Sequence, residues 1–130
     1  MRAYVDTSAF VAVLFGERGG ARLRRIFGRL DAIYSSNLLE AELRAAAARE
    51  GIDAAVLCPA LSTVRWVFPH RSLGEECSRV LEAGYLRGAD LWHLACALYL
   101  GQLLEPMPLV TLDARQQEVA AAVGLNTDVR

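Results

Sequence analysis

The sequence predicts an α/β protein, a three-layer α/β/α sandwich with a central, mainly parallel sheet of four to five strands. Three observations carry that prediction. Short β-branched and aromatic runs alternate with longer segments of helical periodicity, as when parallel strands are joined by crossover helices. Apolar residues make up 54% of the 130-residue chain, enough to cover both faces of a sheet. The stretch from Leu91 to Leu104, LWHLACALYLGQLL, is apolar on nearly every side, as expected of a helix packed at the centre with cover all round. No repeat, linker or low-complexity segment interrupts the pattern, so one domain over residues 1–130 is expected.

Taken in order, the first β-run, Ala3 to Val5, stops at Asp6 and turns through Thr7 and Ser8 into a helix striped by Ala9, Phe10, Val13 and Leu14. Gly16 to Gly20 breaks that helix. Ala21 to Leu30 is predicted helical, with Leu23, Ile26, Phe27 and Leu30 inward and Arg22, Arg25 and Arg29 on the opposite side. Ala32 to Ser35 is the second strand. Ser36 and Asn37 are placed to cap the helix LLEAELRAAAARE. Glu40 suits either a reciprocal capping role or an ion pair with Arg44 one turn on. After Gly51, Ala54 to Leu61 is expected to be a short helix with Pro59 as an imperfection near its end. Thr63 to Phe68 reads as the third strand, stopped by Pro69, with His70 in the following loop.

Leu73 to Arg87 is predicted as an amphipathic helix with Cys77, Val80, Leu81 and Gly84 inward and Arg79 and Arg87 outward. Gly88-Ala89-Asp90 opens the central helix, where Asp90 suits a capping or dipole-stabilising role and His93 is expected to be a hydrogen-bonded core histidine. Pro108 to Thr111 is the fourth strand. Asp113, with Gln116 three residues on, fits a capping box for the last helix. Gly124 ends that helix, leaving Leu125 to Thr127 as a short strand or coil.

Composition closes several routes. All 14 basic residues are arginine, which removes Walker-type phosphate loops, Schiff-base enzymes and lysine-dependent phospho-acceptor domains. Cys58, Cys77 and Cys96 lack metal-site spacing and are expected to be reduced thiols. Without a secretory leader pattern or a bilayer-length apolar run, a cytoplasmic location is expected.

Four acids carry the chemistry. Asp6 and Asp113 directly follow strands, Asp90 starts a helix, and Glu42 sits among Leu39, Leu43 and Ala46 on the apolar side of its helix. An inward carboxylate needs a partner, either an arginine or a metal ion. In α/β sheets, ligands bind beyond the carboxyl ends of the strands, where all four acids are expected. Carboxylates gathered there require cations to stay ionised. Oxygen-only donors select Mg²⁺ or Mn²⁺, whose bound water attacks phosphodiesters without a nucleophilic side chain. Ser8 and Thr111 are placed to hydrogen-bond the carboxylates. Arg22, Arg25, Arg29, Arg79 and Arg87 are candidates for RNA phosphate contacts.

At YVDTSAF, SSNLLEAELRAA, GADLWHLACAL and LVTLDARQQEVAAAVGL the chain resembles the PIN domain family, and within it the small VapC-like toxins of toxin–antitoxin pairs. The resemblance spans nearly the whole chain. It implies a PIN-like fold, a Mg²⁺- or Mn²⁺-dependent endoribonuclease with Asp6, Glu42, Asp90 and Asp113 as its catalytic and metal-binding acids, a homodimer, and a cognate VapB-like antitoxin. Glu40 competes with Glu42 for the second acid, and its exposed position favours Glu42. Two other readings compete: a catalytically weak PIN-like RNA-binding or regulatory module, and a phosphatase or phospho-acceptor. The third lacks both the second aspartate of a D-x-D pattern and a lysine.

Overall fold

The computed structural model describes residues 1–130. Strands β1 (Arg2–Val5), β2 (Ala32–Ser36), β3 (Val64–Val67) and β4 (Leu109–Val110) form one sheet in the order β3-β2-β1-β4. Every pairing is parallel. From β1 the chain builds outward through β2 and β3, then crosses back to set β4 on the other side of β1. The strand order therefore reverses between β1 and β4, and the carboxyl ends there border the crevice where such sheets bind ligands.

Strand alternation feeds two cores. Ala3 and Val5 face a layer made by α1 (Thr7–Phe15), α2 (Gly20–Phe27), α3 (Leu38–Arg49), a 3₁₀ turn (Ala54–Leu57) and α4 (Cys58–Leu61). Tyr4 faces the opposite layer of α5 (Gly74–Ala83), α6 (Gly88–Leu103) and α7 (Ala114–Ala122). As its composition predicts, α6 is buried at every position from His93 to Leu100. The turn from α1 into α2 needs glycine for space: a Cβ on Gly20 would lie 2.2 Å from the Ala12 carbonyl oxygen.

Local departures have physical causes. The segment predicted as one helix over 73–87 ends at Ala83. Gly84 turns extended against Val119 of α7, and Leu86 takes the buried position while Leu81 is 43% exposed. Pro59 occupies the first turn of α4, where a missing N–H costs nothing. Asn37 makes no side-chain cap; Glu40 pairs instead with Arg44 at 2.9 Å. Leu125–Thr127 forms no strand, although the Leu109 N–H donates to the Asn126 carbonyl at 2.8 Å.

A clasp fastens the loop after β3 to α5 and α6. Arg71 Nη1 and Nη2 donate to the two oxygens of Glu76 at 3.0 and 2.7 Å, and Nη2 also reaches Gln102 Oε1 at 3.2 Å. The guanidinium lies 5.2 Å from the centre of the Tyr99 ring. Glu76 is buried, and Arg71 holds its carboxyl at about 2. A carboxyl depressed in the folded state stabilises above its unfolded range, and that contribution is lost as pH falls through the folded value. Arg71→Ala is therefore expected to lower the thermal midpoint by several degrees at neutral pH. The difference from wild type should narrow as pH falls from about 4.5 to about 2, as followed by circular dichroism melts.

Candidate active site

Where β1 ends, Asp6 becomes the N-cap of α1. Its Oδ1 accepts the Ala9 N–H at 3.1 Å and the Ser8 hydroxyl at 2.8 Å, while Oδ2 accepts the Thr111 hydroxyl at 2.6 Å. The residue is only 3% exposed. Burial is the largest influence and raises its carboxyl above the ordinary range, against the pull of these donors. Thr111, just past β4, is a hub. Having given its proton to Asp6, it accepts the Asp113 N–H at 3.1 Å, and the Gln116 side chain lies 3.1 Å from the same hydroxyl. Ser8 performs the matching task on the other side, accepting the Leu112 N–H at 3.0 Å.

Asp113 caps α7 through the Gln116 N–H at 2.9 Å. The return leg of a capping box is absent, because the Gln116 side chain turns to Thr111 and to the Asp90 carbonyl, at 3.4 Å. Asp90 is the third residue of α6 and caps nothing; the position before that helix belongs to Arg87. Its carboxyl is raised by burial and then by the charge of Asp113, with Glu42 adding to the rise and Arg87 opposing it.

Glu42 reaches the crevice from α3. Its partner is not an arginine: Oε1 accepts the Thr7 hydroxyl at 2.7 Å and the His93 Nε2–H at 2.9 Å. Burial opposes its ionisation, but the hydrogen bonds from His93 and Thr7 outweigh it and leave its carboxyl below the ordinary range. His93 is buried and hydrogen-bonded in the core, and its Nδ1 lies 2.8 Å from the Tyr4 phenol. All four predicted acids thus stand at the carboxyl end of the sheet, each on its own hydrogen-bond or charge partners. No three carboxylate, imidazole or thiol groups converge on one ion-sized point.

The donor set nevertheless suits a hard cation. Asp90 has neighbouring carboxylates for company and no hydrogen-bond donor, while Glu42 Oε2 is unshared. Mg²⁺ usually takes one or two carboxylates and keeps several waters, so a closed protein cage is not what it requires.

The arginine candidates separate. Arg22, Arg25 and Arg29 line one depression with Arg130 and Asp128, and Arg22 also donates to the Val129 carbonyl at 3.2 Å. Arg79 turns to the Val123 carbonyl at 3.1 Å, at the other end of α7 from Asp113. Arg87 precedes Asp90 by one turn and only partly opposes the rise of its carboxyl. Thr7, Tyr4, His93 and Gln116 were not expected to serve the site from sequence. His93 lies at i+3 from Asp90, a usable hint, but its partner is 51 residues away.

An all-parallel sheet with acids around its point of reversal defines an α/β protein that offers oxygen ligands at its crevice. The PIN domain family matches residues 3–122, and the chain belongs to that family. PIN domains are generally nucleases that bind RNA and typically use divalent metals. No curated protein matches the sequence. No helix is long and apolar enough to cross a membrane.

The hub generates a stability prediction. Thr111→Val keeps the shape but removes the shortest hydrogen bond to buried Asp6, and is expected to lower unfolding free energy by about 1–3 kcal/mol in urea titrations. The lost bond favoured the ionised carboxylate, so the deficit should shrink as pH falls and Asp6 takes up a proton.

Proposed function

We propose that the protein is a Mg²⁺- or Mn²⁺-dependent endoribonuclease and the toxin of a toxin–antitoxin pair. Residues 1–130 act as one PIN unit, a homodimer in the cytoplasm restrained by a VapB-like antitoxin. The observation that carries the nuclease reading is that Asp6, Asp90 and Asp113 stand at the starts of three helices at the carboxyl end of the parallel sheet, with Glu42 tied to the same end through Thr7 and His93, and no arginine pairs with any of the four. The toxin role rests on the resemblance at the four acid-bearing motifs.

In this reading Asp6, Glu42, Asp90 and Asp113 hold the metal, and Ser8 and Thr111 fix Asp6 for it. When bound, the ion supplies a readily ionised water and neutralises charge on the scissile phosphate. The chain's own residues do the rest. Thr111 and Ser8 hold the Asp6 carboxylate in one orientation, burial keeps bulk water from it, and the basic depression of Arg22, Arg25 and Arg29 gives the RNA backbone a path on the α2 face.

The alternative, a catalytically weak RNA-binding module, draws support from the commitment of Asp6 and Glu42 to internal hydrogen bonds and from the lack of a three-ligand cluster. Cleavage separates the two. Purified protein should cut RNA in Mg²⁺ or Mn²⁺, and chelator, Asp6→Asn or Asp90→Asn should each reduce cleavage to background. A protein that binds RNA but never cuts it under these conditions is the module.

The arginine path is tested in chelator, where binding is read without cleavage. Arg25→Ala and Arg29→Ala are each expected to make the dependence of log affinity on log salt shallower by about 0.7 for single-stranded RNA. An unchanged slope removes them from the path.

A further inference from the structure

Glu42 enters the crevice from one helical layer and is held there by a donor from each, Thr7 of its own layer and His93 of the opposite one. Both donors to its carboxylate, Thr7 and His93, act on Oε1, and Oε2 receives none. The imidazole has little freedom to turn. It is 1% exposed, its Nδ1 is 2.8 Å from the Tyr4 phenol, and the two rings meet edge to face with centroids 5.9 Å apart.

The phenol is itself fixed, because its oxygen accepts the Ser36 backbone N–H at 3.1 Å. A phenol that accepts there still has its own proton to place, and His93 Nδ1 is the acceptor beside it. Nδ1 therefore accepts, and Nε2 carries the hydrogen given to Glu42.

We infer that Ser36, Tyr4 and His93 form a strut that fixes the Glu42 carboxylate in the crevice, with Oε1 tied inward and Oε2 left free for a cation. Tyr4 and His93 are thus positioning residues for the metal site. The inference rests on the nuclease reading above. Its links come from the end of β2, from β1 and from α6, and the last crosses the open end of the sheet to α3. Glu42 is half-buried and flexible, so its orientation depends on what holds it. Outer hydrogen bonds of this kind orient metal-binding side chains, and removing them weakens metal binding or activity by about 10–100-fold.

The test uses Mn²⁺ alone with the RNA-free full chain, read by electron paramagnetic resonance, alongside kcat, KM and thermal midpoint. His93→Ala is expected to weaken Mn²⁺ binding and lower kcat by about 10–100-fold, with KM for RNA held within about twofold. His93→Gln, which offers an amide N–H in place of Nε2–H, should recover most of both. Tyr4→Phe, which keeps the ring and removes only the hydroxyl, should show a smaller loss in the same direction.

If His93→Ala does not fold, Tyr4→Phe decides. A Tyr4→Phe protein that melts lower yet binds Mn²⁺ and turns over as wild type has lost only a structural contact, and the strut is wrong. If wild type binds Mn²⁺ but does not cut RNA, the nuclease reading fails, and the strut is then judged on Mn²⁺ affinity alone. A wild type that binds no Mn²⁺ overturns both.

Discussion

The rest of the crevice is arranged around a carboxylate buried at the end of the central strand. Taking Asp6 out of water is costly, and its donors are two hydroxyls and a backbone N–H with no cationic side chain among them. That choice matters because an arginine would stabilise the charge by cancelling it. Elsewhere the chain does pair acids with arginine, as in Arg44–Glu40, Arg71–Glu76 and Arg115–Glu118. At the crevice it does not. Three helices also begin there, after Asp6, just before Asp90 and after Asp113, so the positive ends of their dipoles favour the carboxylates without capturing them.

Topology explains why these acids can meet. β1 lies between β2 and β4, and the reversal of strand order leaves a gap above the carboxyl ends of β1 and β4 that no crossover covers. β4 is only two residues long, so the chain reaches Thr111 and Asp113 immediately beyond the pairing with Val5. Thr111 then joins the two strand ends through one side chain. Its hydroxyl serves Asp6 from one side while its oxygen receives the Asp113 N–H from the other.

Much of this was legible because it is local. A strand that stops at Asp6, an acid on the apolar side of a helix at Glu42 and a strand followed by Asp113 are short-range patterns. Glu40 and Glu42 separate by the same reasoning: the first pairs outward with Arg44, and the second turns inward. Strand order was not legible, since periodicity says nothing about which strands are neighbours. The break at Gly84 depends on Val119 of another helix, so the pattern over 73–87 runs on past the true end of α5. His93 was recognisable as a core histidine, but its partners Tyr4 and Glu42 lie 89 and 51 residues away. No spacing rule links them.

Those distant partners bear on how the crevice keeps its dimensions. Glu42 belongs to the helical layer on one face of the sheet and Asp90 to the layer on the other, so a sliding of the layers would change the gap between them. His93 lies one turn beyond Asp90 on α6 and donates directly to Glu42 across the sheet end. A displacement of α6 therefore carries Asp90 and the donor to Glu42 together. Tyr4 and Ser36 tie that donor to the two strands at the middle of the sheet. The spacing of acids drawn from opposite layers is thus referred to the two central strands of the sheet, although Glu42 itself stands half-exposed at the edge.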